Sequence, residues 1–468
     1  MHGIVMLTYV NHLHDLGRIL MTTHDETVLG PRDGRPRVLF VVPTFNAGDT
    51  TRGIEIARAI QNLAAETGRE ASIGFVFPRS QQSFEEQIRA AGFQARPAGI
   101  EFANDEVAAI MRADHDGTEF ITDRSRARQI IEVLLTEFTR EQPDLIVFGF
   151  MPPVGIAAQI LGIPSVSYTP FPVYRPWART NFLLDVPDEM DIPPVQAAPP
   201  RLRRGLTALV SRAIVRSGFF RQPTLAQAGR ELGWKTDQPD LFGMLDAGIQ
   251  LVNDLPVYYE GQDIGPHTRI AGPLFSRPAD QAVPEEIARQ FARDDLPRVF
   301  VSMGSSGEKP YLLTAIEAVS RIPCRAVVIV PPHVCTLGEA RERLSGAGDV
   351  LLTDRFLPAP AVNAMADIAV IHGGQGTVQT AVYAGTPVVG IGMQWEQSTN
   401  LGRLVQRGSA IRIPRSSWRT TAVEEALRRI IENPAYAQAA RELKHELDTT
   451  DGYRITGELI WELLDSRS

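Results

Sequence analysis

The chain has 468 residues, 44% of them hydrophobic and 22% charged, with a formal net charge of -8. These values describe a soluble globular chain long enough for two cores, and the acidic balance excludes a general nucleic-acid binder. Cys324 and Cys335 are the only cysteines, which excludes a disulfide or cysteine-based zinc framework and fits a cytoplasmic protein, and no apolar run reaches the length of a membrane span.

Residues 1–35 lack steady periodicity. An apolar patch from Ile4 to Val10 is followed by Asn-His-Leu-His-Asp rather than by a small-residue cleavage site, so the stretch reads as an extension outside the fold, with Met1 and Met21 both open as the start. The fold begins at Arg37 to Val42, a continuous apolar run suited to a parallel strand buried on both faces. The turn from Pro43 to Thr51 leads into a helix carrying Ile54, Ala57 and Ile60. Further strands are expected at Ser72 to Phe77, Leu145 to Phe148 and Pro164 to Ser167, each after a helical segment, as an α/β domain requires.

Asp49 lies in the loop after the first strand, with Phe45 and Asn46. A carboxylate there can take a proton from an attacking hydroxyl, or it can cap the helix that starts at Thr50. His115 and Asp116 are either acceptor-side groups or surface residues. In YTPFPVYRPW, Tyr168 to Trp177, aromatics alternate with prolines, so Phe171 and Tyr174 either line a pocket or pack as a loop. Residues 192–230 contain seven arginines and no acidic residue. Leu202, Leu206, Leu209, Val210, Ile214 and Phe220 recur there near helical spacing. A basic amphipathic helix over 201–221 either lies on an anionic membrane, grips an anionic acceptor, or packs on its own domain with a solvated face.

Gly248 to Asn253 and Thr268 to Ala271 read as the last strands of a first domain spanning 36–275, with a linker at 276–296. A second domain, 297–450, starts with a strand at Val299 to Met303. Gly304-Ser305-Ser306-Gly307 follows, a turn whose amides and hydroxyls can reach phosphate. The strand Ala326 to Val330 comes next. Residues 451–468 hold a final helix, Tyr453 to Leu464.

The segment that organises the rest is Asp367 to Asn400, DIAVIHGGQGTVQTAVYAGTPVVGIGMQWEQSTN. A buried strand, Ile368 to Ile371, ends at His372-Gly373-Gly374; Gln375-Gly376-Thr377 opens a helix that stops at Gly385-Thr386-Pro387; a second strand is Val388 to Ile391. Unpaired N–H groups and the positive helix end make a phosphate site there, with His372 at its mouth. Trp395, Glu396, Gln397 and Asn400 then stand at the carboxyl end of the next strand, where open α/β sheets bind ligands. Carboxylate and amide beside a phosphate site suit the hydroxyls of a sugar.

Residues 372–400 resemble the nucleotide-sugar-binding signature of the UDP-glycosyltransferase superfamily. The resemblance is specific from Arg298 to Pro414. It implies an α/β chain of GT-B fold, two Rossmann-like domains facing a central cleft, with the final helix crossing back to the first domain. By the same resemblance His372 and the turn Gly373, Gly374, Gln375, Gly376 and Thr377 hold the donor diphosphate, and Ser305 and Ser306 of the other Gly-rich turn are further candidates for it by their hydroxyls and amides. Trp395, Glu396 and Gln397 bind the sugar. In Arg355-Phe356-Leu357-Pro358 the Leu357 backbone meets the base and Phe356 is a packing residue. The plant members' ribose-binding Glu is replaced by Thr380, which leaves the nucleoside open between UDP and dTDP. Gly48-Asp49-Thr50 matches bacterial members that build glycopeptide antibiotics, with Asp49 as catalytic base; Phe45, Asn46, His115, Phe171 and Tyr174 are acceptor-side candidates. The implied activity is inverting transfer of a sugar from a nucleoside diphosphate sugar to a small acceptor, without cofactor or metal and without nucleic acid as partner. A nucleotide-sugar epimerase and a non-catalytic transferase-like partner are the rivals.

Overall fold

The computed structural model describes residues 27–81, 83–275, 282–304 and 307–466, with His115 and Pro193 described by their backbone alone. Two parallel sheets carry the fold. The first is built from β1 (Arg37–Val41), β2 (Ser72–Ser80), β3 (Gln94–Phe102), β4 (Leu145–Phe148), β5 (Ser165–Thr169), β6 (Ile249–Val252) and β7 (Thr268–Ile270), in the order β3-β2-β1-β4-β5-β6-β7. The second comprises β8 (Arg298–Ser302), β9 (Arg325–Ile329), β10 (Asp349–Thr353), β11 (Ile368–Ile371), β12 (Val388–Gly390) and β13 (Ala410–Arg412), in the order β10-β9-β8-β11-β12-β13. In both, order reverses beside the first strand of the sheet, which opens a crevice at the carboxyl ends of the strands.

Burial explains why these stretches are strands. Every residue of β1, β4 and β11 is buried, because helices cover both faces of a parallel sheet and leave no side for polar alternation. β3 contains Pro97 at the sheet edge, where a missing N–H costs no ladder bond, and was not anticipated. β10 and β13 also escaped prediction, as short edge strands with mixed polarity.

The extension is shorter than its sequence suggests. Residues 1–26 lie outside the described residues, but Leu29 is 3% exposed, and the Val28 and Leu29 amides donate to the Glu141 carboxylate at 3.3 and 3.4 Å. Residues 28–30 therefore belong to the fold; Arg37 fixes them by donating to the Gly30 carbonyl at 2.9 Å. The stretch read as linker, 276–296, contains the helix Glu285–Phe291, whose Ile287 and Phe291 pack with Phe300 and Leu357 under the second sheet. The final helix, Gly452–Asp465, crosses back onto the first helix, Ala47–Thr67. Trp461 Nε1 donates to the Ile60 carbonyl at 3.2 Å, and Tyr453 donates to Glu55 at 2.6 Å.

The basic segment forms the helix Pro200–Ile214, then a turn and a short helix, Gly218–Arg221. Of the apolar residues read there, Leu202 and Leu209 do not take the inward packing of the third reading, being 67% and 61% exposed. The inward face is instead the one with Thr207, Ser211 and Ile214, because Arg203 is drawn to Asp185 and Asp191, each at 2.7 Å.

Candidate functional site

The carboxyl ends of the two sheets face one another across a cleft, and side chains from both meet there. On the first wall, the loop after β1 leads into the helix Ala47–Thr67, whose N-cap is Asn46. Its Oδ1 accepts from the amides of Gly48 at 2.9 Å and Asp49 at 3.3 Å. Asn46 is thus occupied by capping, and Asp49, in the first turn, is free of that role. The turn is pinned from below, since Tyr168 of β5 donates its hydroxyl to the Asp49 carbonyl at 2.9 Å. Asp49 itself is 3% exposed and pairs with Arg52 at 2.9 Å. Burial raises its pKa, while Arg52 and the Phe150 amide pull the other way.

Two further carboxylates share this wall of the cleft. Asp114, on the helix Asn104–Asp116, is half-buried, and its pKa is pushed up to about 7 by burial, then by the charges of Glu396 and Asp49. Asp114 stands beside the sequence candidates His115 and Asp116 and carries no pattern of its own in the sequence. Asp116 is exposed; the His115 side chain is not among those described. Glu396 reaches across from the second sheet, its pKa raised by burial and partly restored by a hydrogen bond from Asn400 at 2.9 Å.

On the second wall, β11 runs into His372-Gly373-Gly374 and the helix Gln375–Ala384. Among the described residues no side chain caps that helix, so its first amides are open to the cleft. His372 is 5% exposed, and burial lowers its pKa to about 4, with the Ser302 backbone opposing. The ring is neutral, and its Nδ1 is buried without a hydrogen-bond partner among the described residues. Glycines make room for it. A Cβ on Gly304, where φ is +61°, would stand 2.2 Å from His372 Cε1, and one on Gly374 would stand 2.4 Å from Nε2. Ser305 and Ser306 lie outside the described residues. Gly376 is exposed, and Thr377 is turned back on its own helix, donating to the Gly374 carbonyl at 2.8 Å.

Gln375 joins the two walls. Its Oε1 accepts from Arg52 and its Nε2 donates to the Asn253 carbonyl at 3.1 Å; Gln379 donates to the same carbonyl at 2.7 Å. Behind them Arg403 pairs with Asp254 and lies over the Tyr259 ring at 4.5 Å. Arg52 and Arg403 carry no motif and were not anticipated; Gln375, expected at the diphosphate through its motif, has its side chain turned to Arg52 and the Asn253 carbonyl.

The sugar-side candidates divide. Glu396 faces the cleft carboxylates, whereas Gln397 is 3% exposed, and its Oε1 accepts from the Met393 amide at 2.9 Å, closing its own turn. Trp395 packs edge-on against Phe182 and Phe219, 6.2 and 6.3 Å between ring centres. On the nucleoside side the side-chain roles are exchanged: Phe356, expected to pack, is 90% exposed, and Leu357 is the buried one. Of the acceptor candidates, Phe45 stands edge-on to Phe102 at 5.9 Å, Phe171 sits in the aromatic core against Phe182 at 5.1 Å, and Tyr174 covers Gly265.

Residues 334–451 match the family "Erythromycin biosynthesis protein CIII-like, C-terminal domain". The chain is 25% identical over 304 residues to a PGL/p-HBAD biosynthesis glycosyltransferase of Mycobacterium tuberculosis. That match takes in 64% of this chain and 66% of the relative, so the chain spans just under two thirds of the relative's length. Among solved structures it is similar in fold to the glycotransferase of kitacinnamycin (TM-score 0.63, 22% identity, 92% of this chain and 99% of that one). It is also similar to glycosyltransferase VinC in complex with dTDP (TM-score 0.60, 18% identity, 92% and 100%). The chain is similar to glycosyltransferases of the UDP-glycosyltransferase superfamily and has the GT-B fold, two Rossmann-like sheets facing across a cleft.

Proposed function

We propose that this protein is an inverting glycosyltransferase that moves a sugar from a nucleoside diphosphate sugar, UDP- or dTDP-linked, to a small acceptor in specialised-metabolite biosynthesis. The observation that carries the reading is the buried, unpartnered Nδ1 of a neutral His372 beside an uncapped helix N-terminus, joined through Gln375 and Arg52 to the buried carboxylate of Asp49. An orphaned polar atom in so enclosed a place is costly unless a ligand meets it. A diphosphate supplies the acceptor oxygens that an imidazole N–H and helix amides lack.

In this reading the acceptor hydroxyl attacks the anomeric carbon from the first-sheet side. The carbon–oxygen bond to the diphosphate breaks, and the hydroxyl proton passes to a carboxylate. An α-linked donor then gives a β-linked product. Asp49 is the proposed base, held in place by Arg52 and the Phe150 amide. Helix amides and His372 meet the charge developing on the diphosphate, where a metal would otherwise serve. Glu396 is assigned to sugar hydroxyls and Leu357 to the base.

A second reading of the base rests on Asp114. Its pKa of about 7 places it where a general base works best, and it is more accessible than Asp49. Incubating the protein with UDP- and dTDP-sugars and a panel of acceptors, read by mass spectrometry with NMR of the product's anomeric proton, tests the proposal. Transfer to give a β-product from an α-donor is expected. Release of an altered free sugar without acceptor would indicate an epimerase, and no turnover with any donor would indicate a binding protein.

A further inference from the structure

The helix Pro200–Ile214 turns an unusual face outward. With residues seven apart stacked on one side of a helix, Leu202 and Leu209 form a stripe, 67% and 61% exposed. Arg201, Arg212 and Arg216 are exposed and flank it, and Arg204 is exposed at the N-terminal end of the helix, on the side of Ser211. None of these four makes an ion pair among the described residues. The nearby acids are already used: Asp185 and Asp191 pair with Arg203, and Asp188 and Glu189 with Arg412 and Arg415. Ile192, 53% exposed, stands next to Asp191 at the same place, so the apolar surface extends beyond the helix.

The packing side of the helix does not need these residues. Thr207, Ser211 and Ile214 face the domain, and Ser211 Oγ accepts from the Leu183 amide at 3.3 Å. Exposed leucines interleaved with unpaired arginines, on a chain of net charge -8, form a local surface of opposite sign to the rest of the molecule. A surface of this kind gains twice at an anionic bilayer: leucines enter the acyl boundary while arginines meet phosphates.

We propose that the outer face of Pro200–Ile214 docks the protein on an anionic lipid surface. Each arginine near such a surface strengthens partition about fivefold, so the four together set the lipid selectivity and the two leucines set the depth. This inference is independent of the proposed chemistry and is tested without any substrate.

The purified full-length chain is sedimented with vesicles of phosphatidylcholine alone and with vesicles containing phosphatidylglycerol. Binding to the anionic vesicles only, weakened by added salt, is expected. In the Leu202→Ser/Leu209→Ser variant it falls by about tenfold, and in the variant with Arg201, Arg204, Arg212 and Arg216 all changed to Gln by at least about a hundredfold. Both variants keep the wild-type melting temperature, since none of the six side chains is buried. No binding to anionic vesicles overturns the proposal, and so does a leucine variant that binds as the wild type does. Retention on a polyanion resin without vesicle binding overturns it as well, by assigning the patch to another polyanion.

Discussion

The two walls of the cleft solve opposite electrostatic problems. Apart from Glu396, the second-sheet wall presents neutral or positive groups: helix amides with no cap among the described residues, and an imidazole that burial keeps uncharged, with a pKa of about 4. The first-sheet wall gathers carboxylates, Asp49 and Asp114, to which Glu396 is added from across the cleft, and each of the three has its pKa raised by burial. One wall is suited to receive an anion, the other to receive a proton. Arg52 and Gln375 stand between them and hold the two in register. A cleft divided in this way binds a leaving group on one side and activates a nucleophile on the other, and each half should fail separately when damaged.

The largest separation is expected at Asp49. Asp49→Asn should lower turnover by about 10²–10⁴-fold while donor affinity, measured by calorimetry, is unchanged. Because Asn46 does the capping and burial already disfavours the Asp49 charge, the helix should persist with melting close to wild type. Near wild-type turnover would move the base to Asp114.

On the other wall, His372→Ala should weaken nucleoside diphosphate binding about 10–100-fold, the value of one hydrogen bond to a charged group. Unchanged affinity would remove His372 from the donor site. Glu396→Gln should reduce sugar transfer more than nucleotide binding. Gln397→Ala, by contrast, should damage both, because Gln397 holds the turn through the Met393 amide.

Proton linkage gives the two walls opposite signatures. Asp114 keeps its proton in the native state up to about 7, whereas an unfolded aspartate loses it near 3.8. Its contribution to stability is therefore fully present below the lower value and lost as pH rises through the upper one. His372 runs the other way: its contribution is present above 6.5 and lost as pH falls to about 4. Melting curves across this range should lose the first slope in Asp114→Asn and the second in His372→Ala. Variants with slopes like the wild type would mean that the two environments are not as different as the geometry indicates. The smallest effect expected is that of a chelator: added EDTA should leave turnover unchanged.

The sequence showed the second wall better than the first, and the reason is physical. The phosphate site is local: strand, glycines and helix start occur within Ile368 to Thr377, and backbone groups do the binding, so spacing alone exposes it. The first wall is assembled from β1, β5 and the helix after β3, which are far apart in sequence, and isolated acids carry no pattern. Asp49 stands out through its loop, but Asp114 carries no pattern, and the pairing of Arg52 with Gln375 is visible only in three dimensions. For the helix of Leu202 and Leu209 the spacing left an inward and an outward apolar face both open, and the ion pairs of Arg203 show which side is held to the domain.

The central claim is that a carboxylate at Asp49 removes the acceptor's proton while the opposite wall holds the donor. It is tested most directly by comparing turnover of wild type and Asp49→Asn on two acceptors, an aliphatic alcohol and a phenol acidic enough to be ionised at neutral pH, at saturating donor. The alcohol should lose about 10²–10⁴-fold, and the ionised phenol, which has no proton to give up, should lose far less. Equal losses on both acceptors would contradict the account.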